Sequence, residues 1–245
     1  MFGWRARIGY ISPTVMEVLP FEFYQFAPDG VGLVGMTCAI DDWRPEEFEK
    51  GLAQVKGAAA YLGSRQVDFI IHGGGPLVVA RGKGYEETIV NEIETASGVP
   101  ATTGVRAGME ALRHVGAQRI VIASCYPPGH NEALKNYLQS FGFDVVRAEG
   151  TNMPFKDIQK QSPKEILAFT KDVLAAAGPC DAVYLPCPQW QGAQAVEAIE
   201  RETGVTTVAY THANFFQAFK KLGIDAPIAG HGRLLASLAE TAAAL

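Results

Sequence analysis

Eight short apolar runs punctuate the chain: RIGYI, VGLVGMT, VDFIIH, PATT, RIVIAS, FDVVRAE, DAVYLP and TTVAY. Apolar residues follow one another in most of these runs instead of alternating with polar ones, so they read as strands buried on both faces. The stretches between them carry helical periodicity, predicting helices over 45–63, 85–97, 105–115, 131–141, 163–177, 193–202 and 213–222. In PEEFEKGLAQVKGAAAYLG a proline and two glutamates open the helix and a glycine closes it, as helix-end electrostatics and capping require. Buried strands joined by helical crossovers form parallel sheet, so the expected fold class is α/β.

The pattern also echoes itself. VDFIIHGGGP (67–76) matches CDAVYLPCPQ (180–189): an aspartate, an apolar strand, then a tight turn. Farther on, EIETASGVPATT resembles AIERETGVTTVA. Two pseudo-symmetric Rossmann-like halves follow. The first is expected over 1–117, completed by 225–245, and the second over 118–224. If the halves face each other, the loops Gly73–Pro76 and Pro186–Gln189 meet across one cleft, with Gly74 as the counterpart of Cys187. Ligands of open α/β sheets bind beyond the carboxyl ends of the strands, so that cleft is the expected active site.

Charge and cysteine usage narrow the partners. The formal net charge of −5 offers no basic field for nucleic acid. The start, MFGWRARIGYIS, lacks an apolar targeting core and no run reaches membrane-spanning length, which points to a cytoplasmic protein. The four cysteines, Cys38, Cys125, Cys180 and Cys187, are scattered and are expected to be thiols. No CxxC or Cys/His pair has metal-ligand spacing, so no metal is expected.

Cys187 is the leading chemical candidate. It sits between Pro186 and Pro188, at the carboxyl end of a buried strand and before a helix. Prolines on both sides restrict the backbone and fix the direction of the sulfur, while a helix N-terminus favours thiolate. The alternative is a buried structural thiol. HGGGP (His72–Pro76) is neither a dinucleotide loop nor a Walker loop, and no G-x-S-x-G accompanies it. It leaves a loop without side chains at Gly73–Gly75, whose backbone can approach a ligand closely. Tyr126, in SCYPPGHNE, projects a phenol toward the same cleft, with Cys125 at its edge. Pro13 and Thr14 form another rim loop. His72 and His130 are further candidates for contact, and His231 could close the site.

RIGYISPT, GGGPLVVARGKGYEE, ASCYPPGHNEAL, YLPCPQWQGAQAVEAIERETG and PIAGHGRLL, in this order, resemble the aspartate/glutamate racemase superfamily. The branch is that of the maleate cis-trans isomerases and arylmalonate decarboxylases. The resemblance spans nearly the whole chain and implies two α/β halves around one active site, with no cofactor. Isomerases and racemases of the family use two cysteines, one per half. Cys187 matches the second and Gly74 stands at the first, which is the one-cysteine pattern of the decarboxylases. Tyr126 matches the family tyrosine that binds a substrate carboxylate. The chain departs from the pattern at Met16, where isomerases carry a substrate-gripping asparagine. It departs again at Gly75 and Pro76, where decarboxylases carry hydroxyls, and at Pro188, which has no amide proton.

The resemblance therefore implies a cofactor-independent lyase or decarboxylase acting at the α-carbon of a small (di)carboxylic acid such as a substituted malonate. Cys187 and Tyr126 are its catalytic side chains, with Gly74 opposite the thiol. Pro13, Thr14, Gly75 and Pro188 form the substrate-binding wall. A maleate-type isomerase with Cys187 as nucleophile is the first alternative, and a non-enzymatic carboxylate-binding protein the second. Self-association is left open.

Overall fold

The structure is a computed structural model that describes residues 2–241. The first part of the chain runs β1 (Ala6–Ser12), α1 (Val18–Phe26), β2 (Val31–Thr37), α2 (Pro45–Ser64), β3 (Phe69–His72), α3 (Gly75–Ala80), α4 (Tyr85–Ser97), β4 (Ala101–Thr103) and α5 (Gly104–His114). The second runs β5 (Arg119–Ser124), α6 (Pro128–Ser140), β6 (Asp144–Gly150), a 3-10 turn (Phe155–Lys160), α7 (Pro163–Ala177), β7 (Ala182–Leu185), α8 (Gly192–Thr203), β8 (Thr206–Ala209) and α9 (Tyr210–Lys221). The short helix α10 (Gly232–Ala236) follows.

Two four-stranded sheets result, ordered β2-β1-β3-β4 and β6-β5-β7-β8. Every pairing is parallel. Adding four to each strand number of the first sheet gives the second, so the echo in the sequence is an echo in topology. The match extends to single hydrogen bonds. Cys38 N donates to Ser12 O at 2.9 Å and Ile40 N to Pro13 O at 2.8 Å. In the second half Thr151 N donates to Ser124 O and Met153 N to Cys125 O, both at 3.0 Å. Between each pair of bonds lies a non-glycine residue with positive φ, Ala39 (50°) and Asn152 (54°). Such a conformation is uncommon outside glycine, so its recurrence at matching positions marks one turn used twice.

The central strands β3 and β7 are buried at every position. Their continuous apolar character comes from cover on both faces. The halves are packed together through α5 and α9: α5 lies against α9, β7 and β8, and α9 reaches back to β3 and α1.

Three local features differ from expectation. The segment between β1 and β2 holds α1 in place of a rim loop alone. Pro20 argues against a helix in VLPFEFYQF, yet it falls in the first turn, where a missing N–H costs no intrahelical bond. The glycine loop runs directly into α3. The tail also departs from its expected place with the first half. Among the described residues of 225–245, α10 packs on α8, α9 and β8, burying Leu234 and Leu235. Arg233 N–H donates to Glu200 at 3.0 Å.

Candidate active site

Four strands end in the same place, and the residue two positions past each end faces one cavity. Beyond β1 and β5 these are Thr14 and Tyr126; beyond β3 and β7 they are Gly74 and Cys187. The cavity has a volume of about 270 Å³. Pro13, Gly75 and Pro188 also line it, so the expected wall is assembled as a unit. Cys187 is 8% exposed, enough to meet the cavity but little bulk solvent.

The glycine at 74 is conformationally required. Its φ of 76° and ψ of 52° place it in the left-handed region. A Cβ there would lie 3.1 Å from Pro13 Cγ. Pro13 is to Gly74 as Cys125 is to Cys187, because Cys125 occupies the place after β5 that Pro13 occupies after β1. The Cys125 thiol neighbours Cys187. Burial, and then that neighbour, push the Cys125 pKa well above the usual thiol value, so Cys125 stays protonated beside it. It is absent from the cavity wall and lies behind the catalytic candidate.

Tyr126 lines the cavity, but its phenol donates to the carbonyl of Pro186 at 2.6 Å. Burial and the neighbouring Cys187 both raise its pKa, keeping the donor protonated. A carboxylate could take this proton only from Pro186, the residue before the cysteine. Tyr126→Phe is therefore expected to leave a buried carbonyl unpaired, costing about 1–3 kcal/mol of stability as well as slowing turnover. Denaturant melts run alongside kinetics check both. Unchanged stability would show that the bond to Pro186 carries no weight.

Apolar and aromatic side chains form much of the remaining wall: Ile40, Trp43, Phe48, Leu77, Phe155 and Ile158. Trp43 packs edge-on against Tyr126 (5.4 Å between centroids) and Phe155 (4.8 Å). Lys156 is the one lysine or arginine in this wall, with Glu17 and Asp41 as the acids. Its Nζ lies 3.7 Å from Asp41 across the mouth, both side chains 72% exposed. A second cavity of about 210 Å³ adjoins the first at Phe48, Gly75, Pro76 and Tyr126. Val79, Ala80, Val105, Ala133 and Leu134 make it apolar.

The histidines stand mostly apart. His72 is buried in β3, and burial lowers its pKa to about 4, so it is neutral. His130 packs on Trp43 and Phe48 and lines the second cavity. His231 rests against Phe26 and His212, away from the cavity wall.

Two polar residues near the site escaped the sequence reading. Gln189 is 8% exposed and lines the cavity. Glu22, on α1, is 2% exposed and contacts α8 and α9. Burial raises its pKa to about 8, against the opposing pull of hydrogen bonds from Thr211 and the amides of Ala193 and Gln194. The α8 N-terminus expected to serve Cys187 thus turns its Ala193 N–H to Glu22, at 3.0 Å. No group of His, Cys, Asp and Glu among the described residues could hold a metal ion. No described helix is long and apolar enough to cross a membrane.

Comparison with known proteins agrees with this geometry. The chain is 25% identical over 244 residues to the arylmalonate decarboxylase of Bordetella bronchiseptica, covering 93% of this chain and 95% of that protein. It is also 25% identical over 242 residues to the maleate isomerase of Pseudomonas putida, covering 94% and 96%. The fold matches a Nocardia farcinica maleate cis-trans isomerase that carries a covalently bound succinylcysteine intermediate. The TM-score is 0.86 at 19% identity, over 94% of this chain and 98% of that one. The family model for arylmalonate decarboxylase matches residues 8–235. With its paired parallel sheets and a buried thiol and a glycine at equivalent strand ends on one cavity, the chain belongs to the arylmalonate decarboxylase family and is an enzyme of the branch that also holds the maleate isomerases.

Proposed function

We propose that this enzyme decarboxylates α-substituted malonates carrying an aryl or other bulky apolar arm, with Cys187 as the proton donor. The observation that carries the reading is one thiol facing the cavity, with a glycine in the equivalent place. The carbon–carbon bond to one carboxylate breaks and its electron pair stays on the α-carbon as an enediolate of the remaining carboxylate. The S–H proton of Cys187 moves to that carbon, and solvent later returns a proton to the sulfur. In this reading the Thr14 hydroxyl and the backbone amide of Gly74 meet the enediolate oxygens. Walls such as Ile40, Phe48 and Leu77 disfavour the charged leaving carboxylate and favour neutral CO₂.

The second cavity supports the bulky arm. An apolar cavity of about 150 Å³ suffices to hold benzene. Gly75, without a side chain, stands on the border between the two chambers.

The test is a turnover screen of aryl-substituted malonates, small alkyl malonates and maleate, following CO₂ release and product by chromatography. CO₂ from the aryl malonates is expected. The maleate-type reading draws on the equally similar isomerase relative and would have the Cys187 thiolate add to the double bond. Conversion of maleate without CO₂ from any malonate would establish that reading in place of ours.

Lys156 is placed to draw a dianion toward the mouth. Lys156→Gln is expected to raise KM about fivefold, the effect of roughly 1 kcal/mol from an exposed charge, with the difference shrinking at high salt. An unchanged KM at low salt would remove Lys156 from substrate capture.

A further inference from the structure

Two helices at the cleft lack side-chain caps of their own, and each receives one from the opposite half. Glu17, at the N-cap of α1, makes no capping bond, and neither does Gln191 at the N-cap of α8. Gln189, two residues past Cys187, supplies the first: its Oε1 accepts from Val18 N at 3.3 Å. Its Nε2 donates to Val15 O at 2.7 Å. Glu22 of α1 supplies the second, accepting from Ala193 N at 3.0 Å and from the Thr211 hydroxyl at 2.6 Å. Free amides at a helix start need such partners when water is excluded, and both Gln189 and Glu22 are buried.

We infer that this reciprocal capping is a clasp that holds the Pro13–Glu17 rim against the Cys187–Gln191 loop, making Gln189 and Glu22 positioning residues for the thiol. The clasp ties the two walls between which substrate must sit. One wall ends in Thr14 and the other in Cys187, and the clasp residues join the segments that follow them by side-chain hydrogen bonds. An error of about 1 Å between a reacting carbon and its proton donor can cost a hundredfold in rate. Neither residue contributes the transferred proton, so their loss should act on the geometry of the step more than on the affinity for substrate. The inference rests on the proposed role of Cys187, but the clasp itself is measurable without turnover.

The experiment follows the alkylation rate of Cys187 by iodoacetamide, with mass-spectrometric assignment of the modified cysteine, beside kcat and KM. Gln189→Met keeps the side-chain length and loses both bonds; Gln189→Glu keeps the acceptor and loses the donor. Both are expected to alkylate about fivefold to tenfold faster than wild type, as an opening made easier by one or two lost hydrogen bonds predicts. Their kcat should fall about tenfold to a hundredfold, with KM moving less. Glu22→Ala should behave in the same way, and Glu22→Gln, which keeps an acceptor for Ala193 and lets the Thr211 hydroxyl turn to accept from its amide, should recover most of the loss. Wild-type alkylation in the two Gln189 variants would overturn the clasp. So would a fall in melting temperature with no change in alkylation or in the kcat-to-KM split, since that would make the contacts structural only. If Cys187→Ser proves active, the catalytic reading falls, while the alkylation rates still decide the clasp.

Discussion

Cys187→Ala is expected to reduce turnover roughly 100- to 10,000-fold while leaving the protein folded. On the proposed mechanism, losing the thiol removes the transferred proton itself. Thr14 and the Gly74 amide remain, so substrate should still bind and the loss should appear in kcat. Cys187→Ser should be nearly as inactive, because a hydroxyl is a much weaker acid than a thiol. The Cys125 thiol cannot substitute: it is fully buried behind Cys187 and outside the cavity wall. Single-turnover and steady-state rates on folded protein check the expectation, with folding verified by circular dichroism. Activity within a few-fold of wild type would remove the proton-donor role.

Glu22→Gln is expected to change how stability depends on pH. The carboxyl has its pKa raised from 4.5 to about 8 by burial, so between those values the folded chain holds a proton that the unfolded chain has released. Stability then falls as pH rises, because folding must take up that proton. The contribution is absent below the unfolded pKa and has its full destabilising size above the folded one. At 1.36 kcal/mol per unit, wild type should lose on the order of 3 kcal/mol more than Glu22→Gln between about pH 5 and about pH 8. No charged side chain figures among the causes of the shift, so the glutamine, also neutral, should fit without leaving a charge unpaired. Urea melts of both proteins at several pH values test this. Parallel stability profiles would mean that Glu22 titrates as an ordinary acid.

The sheets were legible in the sequence because burial on two faces writes itself as unbroken apolar runs. VGLVGMT and RIVIAS coincide with β2 and β5, and Tyr85–Ser97 and Pro163–Ala177 with α4 and α7. The pairing of Gly74 with Cys187 was legible for the same reason: a repeat in strand pattern carries a repeat in strand ends. What stayed hidden depended on contacts between distant segments. Helix α1 was not among the expected helices, and with it went Glu22, whose partners Ala193 and Thr211 lie 171 and 189 residues away. The sequence places Tyr126 in the cleft but not its proton on Pro186, 60 residues on. Gln189 gave no signal either, since a glutamine becomes a helix cap for another segment only once that segment is packed beside it.

The near-twofold arrangement of the strand ends has a stereochemical consequence. A planar enediolate has two faces. The two loops that end β3 and β7 approach it as near mirror images in role, but only one of them carries hydrogen on sulfur. On the other side stands Gly74, backed by the hydrocarbon ring of Pro13, which has no proton to give. On the mechanism proposed above, a substrate with two different α-substituents is therefore expected to emerge as a single enantiomer. Its configuration would be decided by which substituent the second chamber accepts, because that choice would turn one prochiral face or the other toward Cys187.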